Sequence, residues 1–295
     1  MQSADFLSAV FFYLKEGENL NQNWIVENLN NAFSTWNGKL GELWGLVTTG
    51  PQTFKGGAVW SVMQTLHNGM VGIGYALVVL FFAISLCKNT MNFHELKRPE
   101  AAIHYFLRFV AAKALVGYGM DIMLNVFSIC NGIVTDMADS IGGISEAMVS
   151  LPAEMQTAIE NVGFLASIPL WLVTILGSLF ITVLSFVMIL TVYGRFFRLY
   201  MYTALAPLPL AAFAGESTQS VGISFLKSYV GVCLEGAVIV LACVIYSAFV
   251  GTPTVTGGEA TTIVWSYLAE TVFNMLVLVG LIKGSDRIIH EMMGL

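Results

Sequence analysis

The chain has 295 residues, of which 56% are hydrophobic and 11% are charged. Soluble domains carry about 25% charged residues, so this chain lacks the side chains that a water-exposed surface needs. Its net charge of −6 also argues against a nucleic-acid-binding domain, which needs clustered positive charge. We therefore predict an all-α, polytopic integral membrane protein.

Residues 1–56 have a mixed composition with one helical apolar stripe. Apolar side chains recur at mostly three- and four-residue steps from Trp24 to Val47, and polar residues fall between them. The tryptophans in this stripe suit a membrane interface, although a face that packs on a partner helix would look the same. We predict an amphipathic N-terminal region outside the membrane, lying either on its surface or on a partner.

Residues 57–295 read as a transmembrane helical domain, because five stretches approach the roughly 20 apolar residues that a bilayer core requires. A further segment, 203–214, is apolar but short. It is broken by Pro207 and Pro209, which remove backbone donors. His67 comes just before the first span and is expected near the outer interface. The predicted spans are residues 69–86, 105–130, 165–192, 229–250 and 262–282.

The positive charges predict the orientation, because basic loops stay in the cytoplasm. The loop after span one is basic, while residues 131–161 are acidic and contain no Lys or Arg. Span three is predicted to end, and span four to begin, in the cytoplasm. Segment 203–214 therefore cannot cross the membrane, and we predict that it is re-entrant or interfacial. We predict five spans in a bacterial cytoplasmic membrane, with the N-terminus outside and the C-terminus inside. The residues that decide this are Lys88, Lys97 and Arg98 after span one, the anchors Arg195, Arg198 and Lys227, the C-terminal Lys283 and Arg287, and the acidic Asp136, Asp139, Glu146, Glu154 and Glu160.

Several ionisable side chains fall in or near the spans, where each costs at least a few kcal/mol if it faces hydrocarbon. Arg108 and Lys113 lie in the inner half of span two, and Glu235 lies in the inner half of span four. An ion pair between Glu235 and one of these cations is geometrically reasonable. Such groups would hold helices or subunits together, line a conduit, or snorkel to the interface. The candidates for intramembrane polar or assembly contacts are Arg108, Lys113, Asp121, Glu235 and Glu270.

Signatures of catalysis, cofactor binding and metal ligation are missing from the sequence. It contains no phosphate-binding loop, no HExxH and no GxSxG. The cysteines form no CxxC pair and no metal spacing. We therefore predict that the chain is not an enzyme and binds no cofactor or metal. The cysteines are Cys87, Cys130, Cys233 and Cys243.

The stretch from Arg195 to Phe213, RFFRLYMYTALAPLPLAAF, resembles the hallmark region of TrbL-like (VirB/TrbL) polytopic subunits of type IV secretion and conjugation systems. In those proteins a long span ends in a basic, aromatic turn, followed by a proline-bearing apolar segment. A small-residue polar stretch, here Gly215–Ser220, then leads into another long span. The resemblance is best over residues 165–285. The short tail is most similar to members from conjugative elements of Gram-positive bacteria.

The resemblance implies a structural subunit at the base of a translocation channel, where Pro207 and Pro209 would build a cytoplasmic-side collar. It implies a homo-oligomeric ring, for which a pentamer is one size that would fit. It also implies contacts with membrane lipid, the secretion ATPase and other secretion subunits. The cargo in transit would be single-stranded DNA with its relaxase, or an effector protein.

The residues leave other classes open. The main alternative is a secondary transporter or channel for a small solute, with the broken segment and Glu235 or Glu270 as its substrate site. Such folds contain internal repeats, but segment 203–214 has no counterpart in the first half of the chain. A permease of the ABC type would need a cytoplasmic coupling helix, for which residues 92–101 are a candidate.

Overall fold

The structure, a computed structural model, describes residues 2–90, 99–140, 148–162, 164–249 and 260–294, and the side chains of 24–88, 103–139, 148–162, 168–248 and 262–294. Lys97, Arg98 and Glu146, which were used to predict the orientation, lie outside the described residues. The described residues form helices without a β-strand, which confirms the all-α class. The helices are α1 (Gln2–Thr48), α2 (Ala58–Thr90), α3 (Pro99–Gly117), α4 (Gly119–Ser140), α5 (Ala153–Glu160), α6 (Phe164–Leu205), α7 (Pro207–Ala211), α8 (Gln219–Phe249) and α9 (Ala260–Met293), with 3-10 turns at Phe54–Gly57 and Ala212–Ala214.

Four of the described helices, α2, α6, α8 and α9, are each long and apolar enough to cross a membrane, and the pair α3–α4 could supply a fifth crossing. This confirms a multi-pass membrane protein. The four helices coincide with the predicted spans 69–86, 165–192, 229–250 and 262–282, as far as these are described.

The predicted continuous span 105–130 is wrong in one respect, because the chain bends by 73° between α3 and α4. Gly117 and Gly119 flank the bend at Tyr118, and glycine weakens helix continuity. A Cβ atom at Gly117 would lie 2.7 Å from the hydroxyl oxygen of Tyr75. Glycine at this position therefore leaves room for the Tyr75 side chain of α2, and the same glycine lets the helix break.

The chain divides into two compact units, of which unit 1 comprises Met1–Gly45, Ile141–Thr191 and Leu241–Lys283. Here α1 packs along α6: the rings of Trp24 and Trp171 lie 5.6 Å apart, and Asn28 donates to Ser178 Oγ at 2.8 Å. The apolar stripe of α1 is buried inside the chain. That residues 1–56 lie outside the membrane stays a prediction. The buried stripe residues of this unit include Ile25, Leu29, Phe33, Trp36, Leu40 and Leu43.

Unit 1 also contains a non-helical segment before α5 that side chains hold in place. The Asn37 amide donates to Val149 O at 2.8 Å and accepts from Val149 N at 2.9 Å. The Tyr267 hydroxyl donates to Ser150 O at 3.0 Å. Because these backbone groups have no helical partner, the side chains satisfy them instead.

Unit 2 comprises Leu46–Ser140, Val192–Val240 and Gly284–Leu295. In it α2 and α3 pack antiparallel, and α7 with its following 3-10 turn packs on both. Phe82 lies against Phe109 with ring centroids 4.8 Å apart. A Cβ atom at Gly74 would approach Val116 Cγ1 to 2.9 Å and Pro207 O to 3.0 Å. Glycine at position 74 therefore allows α2, α3 and α7 to pack closely together at this point.

We expect Gly74→Val to destabilise the protein by about 1–3 kcal/mol, because the added side chain overpacks this junction. Gly72→Val is the matched control on the same helix, since nothing lies within 4 Å of its Cβ position. Thermal unfolding in detergent measures both. Equal midpoints for the two variants would contradict the packing described here.

Candidate functional site

The proline-broken segment is the first part of the candidate site. α6 ends at Leu205 because Pro207 has no N–H to donate to the carbonyl of Thr203. The buried ring of His67 replaces that donor, with Nδ1 donating to Thr203 O at 2.7 Å. Since a carbonyl only accepts, Nδ1 carries the proton. His67 therefore satisfies a backbone group that the proline leaves without its partner, a role that the sequence analysis missed.

The segment follows α2 along the length of the first predicted span. His67 meets Thr203 at one end, and the Glu216 backbone N–H donates to Ser85 Oγ at 3.5 Å at the other. The sequence predicts His67 near the outer interface and the proline segment on the cytoplasmic side. Their contact shows that these two placements cannot both hold. The segment is covered by protein, as broken backbone at membrane depth must be; its buried residues are Pro207, Leu210, Ala211, Ala212 and Ala214.

A fully buried arginine is the second part of the site. The Arg195 guanidinium donates to Val232 O at 3.2 Å, to Val47 O at 3.3 Å and to Cys233 O at 3.1 Å. Val47 lies in the last turn of α1, where helix carbonyls lack intrahelical donors and the helix dipole is negative. Arg195 thus joins α6 to α8 and to the end of α1.

The position of the Arg195 guanidinium explains why α8 has a glycine at position 236. A Cβ atom there would lie 2.8 Å from both terminal guanidinium nitrogens of Arg195. Any larger residue would displace the buried cation from its carbonyl acceptors.

The third part of the site is an ion-pair cluster one helical turn further along α6. Arg198 Nη2 donates to both carboxylate oxygens of Glu235 at 2.7 Å, and its Nη1 contacts Asp286. Ser285 Oγ also donates to Glu235, at 3.2 Å. Glu235 is only 1% exposed, so its charge is balanced inside the protein. The cluster joins α6, α8 and α9.

The expected pairing of Glu235 with Arg108 or Lys113 is wrong, because its partner is Arg198. Arg198 had been assigned only as a cytoplasmic anchor. Arg108 instead donates at 3.3 Å to the side chain of Gln219, the first residue of α8. Its Nη1 also lies 3.9 Å from the carboxylate oxygen Oε2 of Glu216.

The remaining candidate residues do not join the cluster. Lys113, Asp121 and Lys227 are exposed in unit 2, and Glu270 is exposed in unit 1. No group of three His, Cys, Asp or Glu residues in the described part of the chain could hold a metal ion. The arrangement therefore fastens helices to each other through buried polar contacts.

A family model described as TrbL/VirB6 plasmid conjugal transfer like protein matches residues 36–207, more than half of the chain. The chain belongs to this family. The match confirms the resemblance seen in the sequence and reaches from α1 to the break at Pro207, so it includes Arg195 and Arg198. No curated protein and no solved structure matches the chain. This TrbL/VirB6 chain is thus a multi-pass membrane protein of the conjugal transfer family, and its carboxylate partners Glu235 and Asp286 lie beyond the matched region.

The role of His67 makes a prediction about Pro207. We expect His67→Leu to destabilise the protein by about 1–3 kcal/mol, because Thr203 O is left buried without a donor. Adding Pro207→Ala restores a backbone N–H and should recover part of the loss. Chemical unfolding in detergent measures the single and double variants, with exposed His104→Leu as control. A double variant no more stable than His67→Leu would show that the missing donor is not the cause.

The Arg198–Glu235 pair makes a second prediction. Arg198→Leu should cost about 3–5 kcal/mol, because it leaves the buried carboxylate of Glu235 without its cation. Glu235→Leu should cost less, because Arg198 is 28% exposed and keeps its contact with Asp286, and the double variant should cost less than Arg198→Leu alone. The exposed pair Arg287–Glu291 is the control: removing either partner should change little. Unfolding midpoints of the single and double variants measure these losses of stability. If the losses of the two single variants simply add in the double variant, the ion pair is not the cause of the destabilisation.

Proposed function

We propose that this TrbL/VirB6 chain is a structural, ring-forming subunit of the cytoplasmic-membrane channel of a type IV secretion machine. Its cargo is single-stranded DNA with its relaxase, or a protein. The family match over residues 36–207, on a chain with several membrane-length helices, carries this proposal. The chain acts without catalysis, by holding its helices in a fixed arrangement around the path of the cargo.

The buried polar groups support a structural role over solute transport. A transporter needs a polar group that can exchange a ligand or proton for another partner. Glu235 is bound by Arg198 and Ser285, and Arg195 is bound by backbone carbonyls. None of these groups is left to bind a solute, so the secondary-transporter alternative is less favoured.

The surface of unit 2 supports a lipid-embedded ring subunit. Many large apolar side chains of α2 and α3 are exposed, as acyl chains or neighbouring subunits require. We propose the predicted orientation, with the N-terminus outside, and contact of the cytoplasmic side with the secretion ATPase. The exposed apolar residues include Ile73, Val79, Leu80, Phe106 and Leu107.

The proposal predicts that a host lacking this chain no longer transfers DNA or protein, and that the wild-type gene restores transfer. Because lower stability lowers abundance several-fold or more, Arg198→Leu should restore transfer poorly, whereas Arg287→Leu should restore it fully. Donor mating assays with immunoblots measure both.

Chemical crosslinking in native membranes is the complementary experiment. It should give a ladder of the chain with itself and adducts with other secretion subunits. A monomer that moves a small solute in liposomes without other subunits would contradict the proposal.

A further inference from the structure

The outward face of α1 in unit 1 is polar from Glu27 to Gly45, although Trp24, at the start of the described side chains, is 41% exposed. From Ile25 to Gly45 no large apolar side chain is exposed on it. No described residue lies within 4 Å of the Cβ positions of its glycines, and Asn30, Ser34 and Gly38 border an open groove beside residues 148–150. We call it the α1 polar face; its exposed residues are Glu27, Asn30, Asn31, Ser34, Gly38, Gly41 and Gly45.

This face accompanies the most apolar helix of the chain. Asn28 bonds to Ser178, and the Lys39 ammonium lies 5.9 Å from the ring centroid of Phe186. Residues 24–39 of α1 therefore lie beside residues 171–186 of α6. The latter belong to a helix long and apolar enough to span the membrane.

The outward face of α6 over the same stretch has the opposite chemistry. Its exposed side chains are large and apolar, which suits acyl chains. Unit 1 thus has one lipid-compatible face and one face of amides, a hydroxyl, a carboxylate and glycines. The exposed α6 residues are Leu172, Leu176, Leu179, Phe180, Val183 and Phe186.

Burying the α1 polar face in lipid would cost free energy, because its polar groups would lose their hydrogen-bond partners. An amide or hydroxyl without a hydrogen-bond partner costs about 1–3 kcal/mol when it is buried, and an ionised carboxylate costs far more. The amides of Asn28 and Asn37, which lie toward the chain, are bonded within it. The outward amides and Glu27 must find their partners in water or in another chain. No exposed cation of this face balances Glu27, because Lys39 pairs with Glu42 at 2.6 Å, so dry packing against a second helix would strand its charge.

We propose that the α1 polar face lines the water-filled passage of the assembled channel, where it faces the polymer in transit. This proposal places residues 27–45 at membrane depth, in contrast to the sequence-based prediction that residues 1–56 lie outside the membrane. This inference rests on the proposed function, because the passage exists only when copies assemble. Amides, a hydroxyl and glycines present a nearly neutral surface without exposed positive charge. Such a wall lets an extended nucleic acid or polypeptide slide past without gripping it.

Thiol labelling tests the proposal in membranes that contain the whole machine. Asn31→Cys and Ser34→Cys place thiols on the α1 polar face, and Leu179→Cys and Val183→Cys place them on α6 beside the same stretch. The parent is Cys87→Ser, because the other cysteines are buried. We expect a charged, membrane-impermeant maleimide to label positions 31 and 34 at least about tenfold faster than positions 179 and 183, because only thiols in water ionise and react readily.

A transfer assay gives the second readout. Labelling Ser34→Cys with a bulky reagent should lower transfer, while Ser34→Ala, and Leu179→Cys after the same treatment, should keep it. Equal, slow labelling at all four positions would overturn the proposal. So would protection of position 34 together with oxidative joining of Ser34→Cys copies, which would make the face a contact between copies. For each variant, the transfer of DNA or protein by the unlabelled protein is measured as well. That measurement tests the proposed function separately from the position of the α1 polar face.

Discussion

The buried guanidinium of Arg195 is the interaction on which unit 2 depends. An arginine cannot lose its proton in a protein, so its burial obliges other groups to supply acceptors. Here the acceptors are backbone carbonyls of Val47, Val232 and Cys233, which arrive from α1 and α8. The helices must therefore meet at this level, and α8 must present Gly236 to the guanidinium. A single charged side chain thus sets the register of three helices.

The neighbouring ion pairs extend this register to α9. A buried ion pair is weak evidence for net stability, because an apolar substitute often stabilises as well, but it penalises any arrangement that separates its partners. Arg198, Glu235 and Asp286 belong to three different helices, so sliding any of them would leave a charge unpaired. The same logic holds at the break, where His67 must sit beside Thr203 because Pro207 supplies no donor. These contacts make the unit specific in shape, which suits a subunit whose function is to hold a position.

The sequence predicts those features of this fold that local pattern determines. Apolar length gives most of the spans, three- and four-residue periodicity gives the buried stripe of α1, and the prolines give a break in segment 203–214. The basic, aromatic stretch after residue 192, expected as a turn, instead continues α6 to Leu205. The sequence does not predict the partner of Glu235, because Arg198 is 37 residues away and only tertiary packing decides between it and other cations. The sequence does not predict the bend at Tyr118 for a similar reason: the glycines beside it lie against residues of other segments, Gly117 against the hydroxyl of Tyr75 and Gly119 against Leu210 and His67. His67 looks like an interfacial residue until the carbonyl that Pro207 releases is placed next to it.

On the proposed function, the two kinds of polar group in this chain meet two different demands on a conduit. Its wall would have to keep its shape while a polymer moves, and the strong interactions of Arg195 and Arg198 are made between helices of the chain itself. Its inner surface must not hold the polymer, because conduction requires binding weak enough for release. A positively charged lining would hold a nucleic acid through its phosphates, whereas the α1 polar face exposes amides, a hydroxyl and one carboxylate. The buried contacts of Arg195 and the ion pairs of Arg198 would meet the first demand, and the weakly interacting groups of the α1 polar face would meet the second.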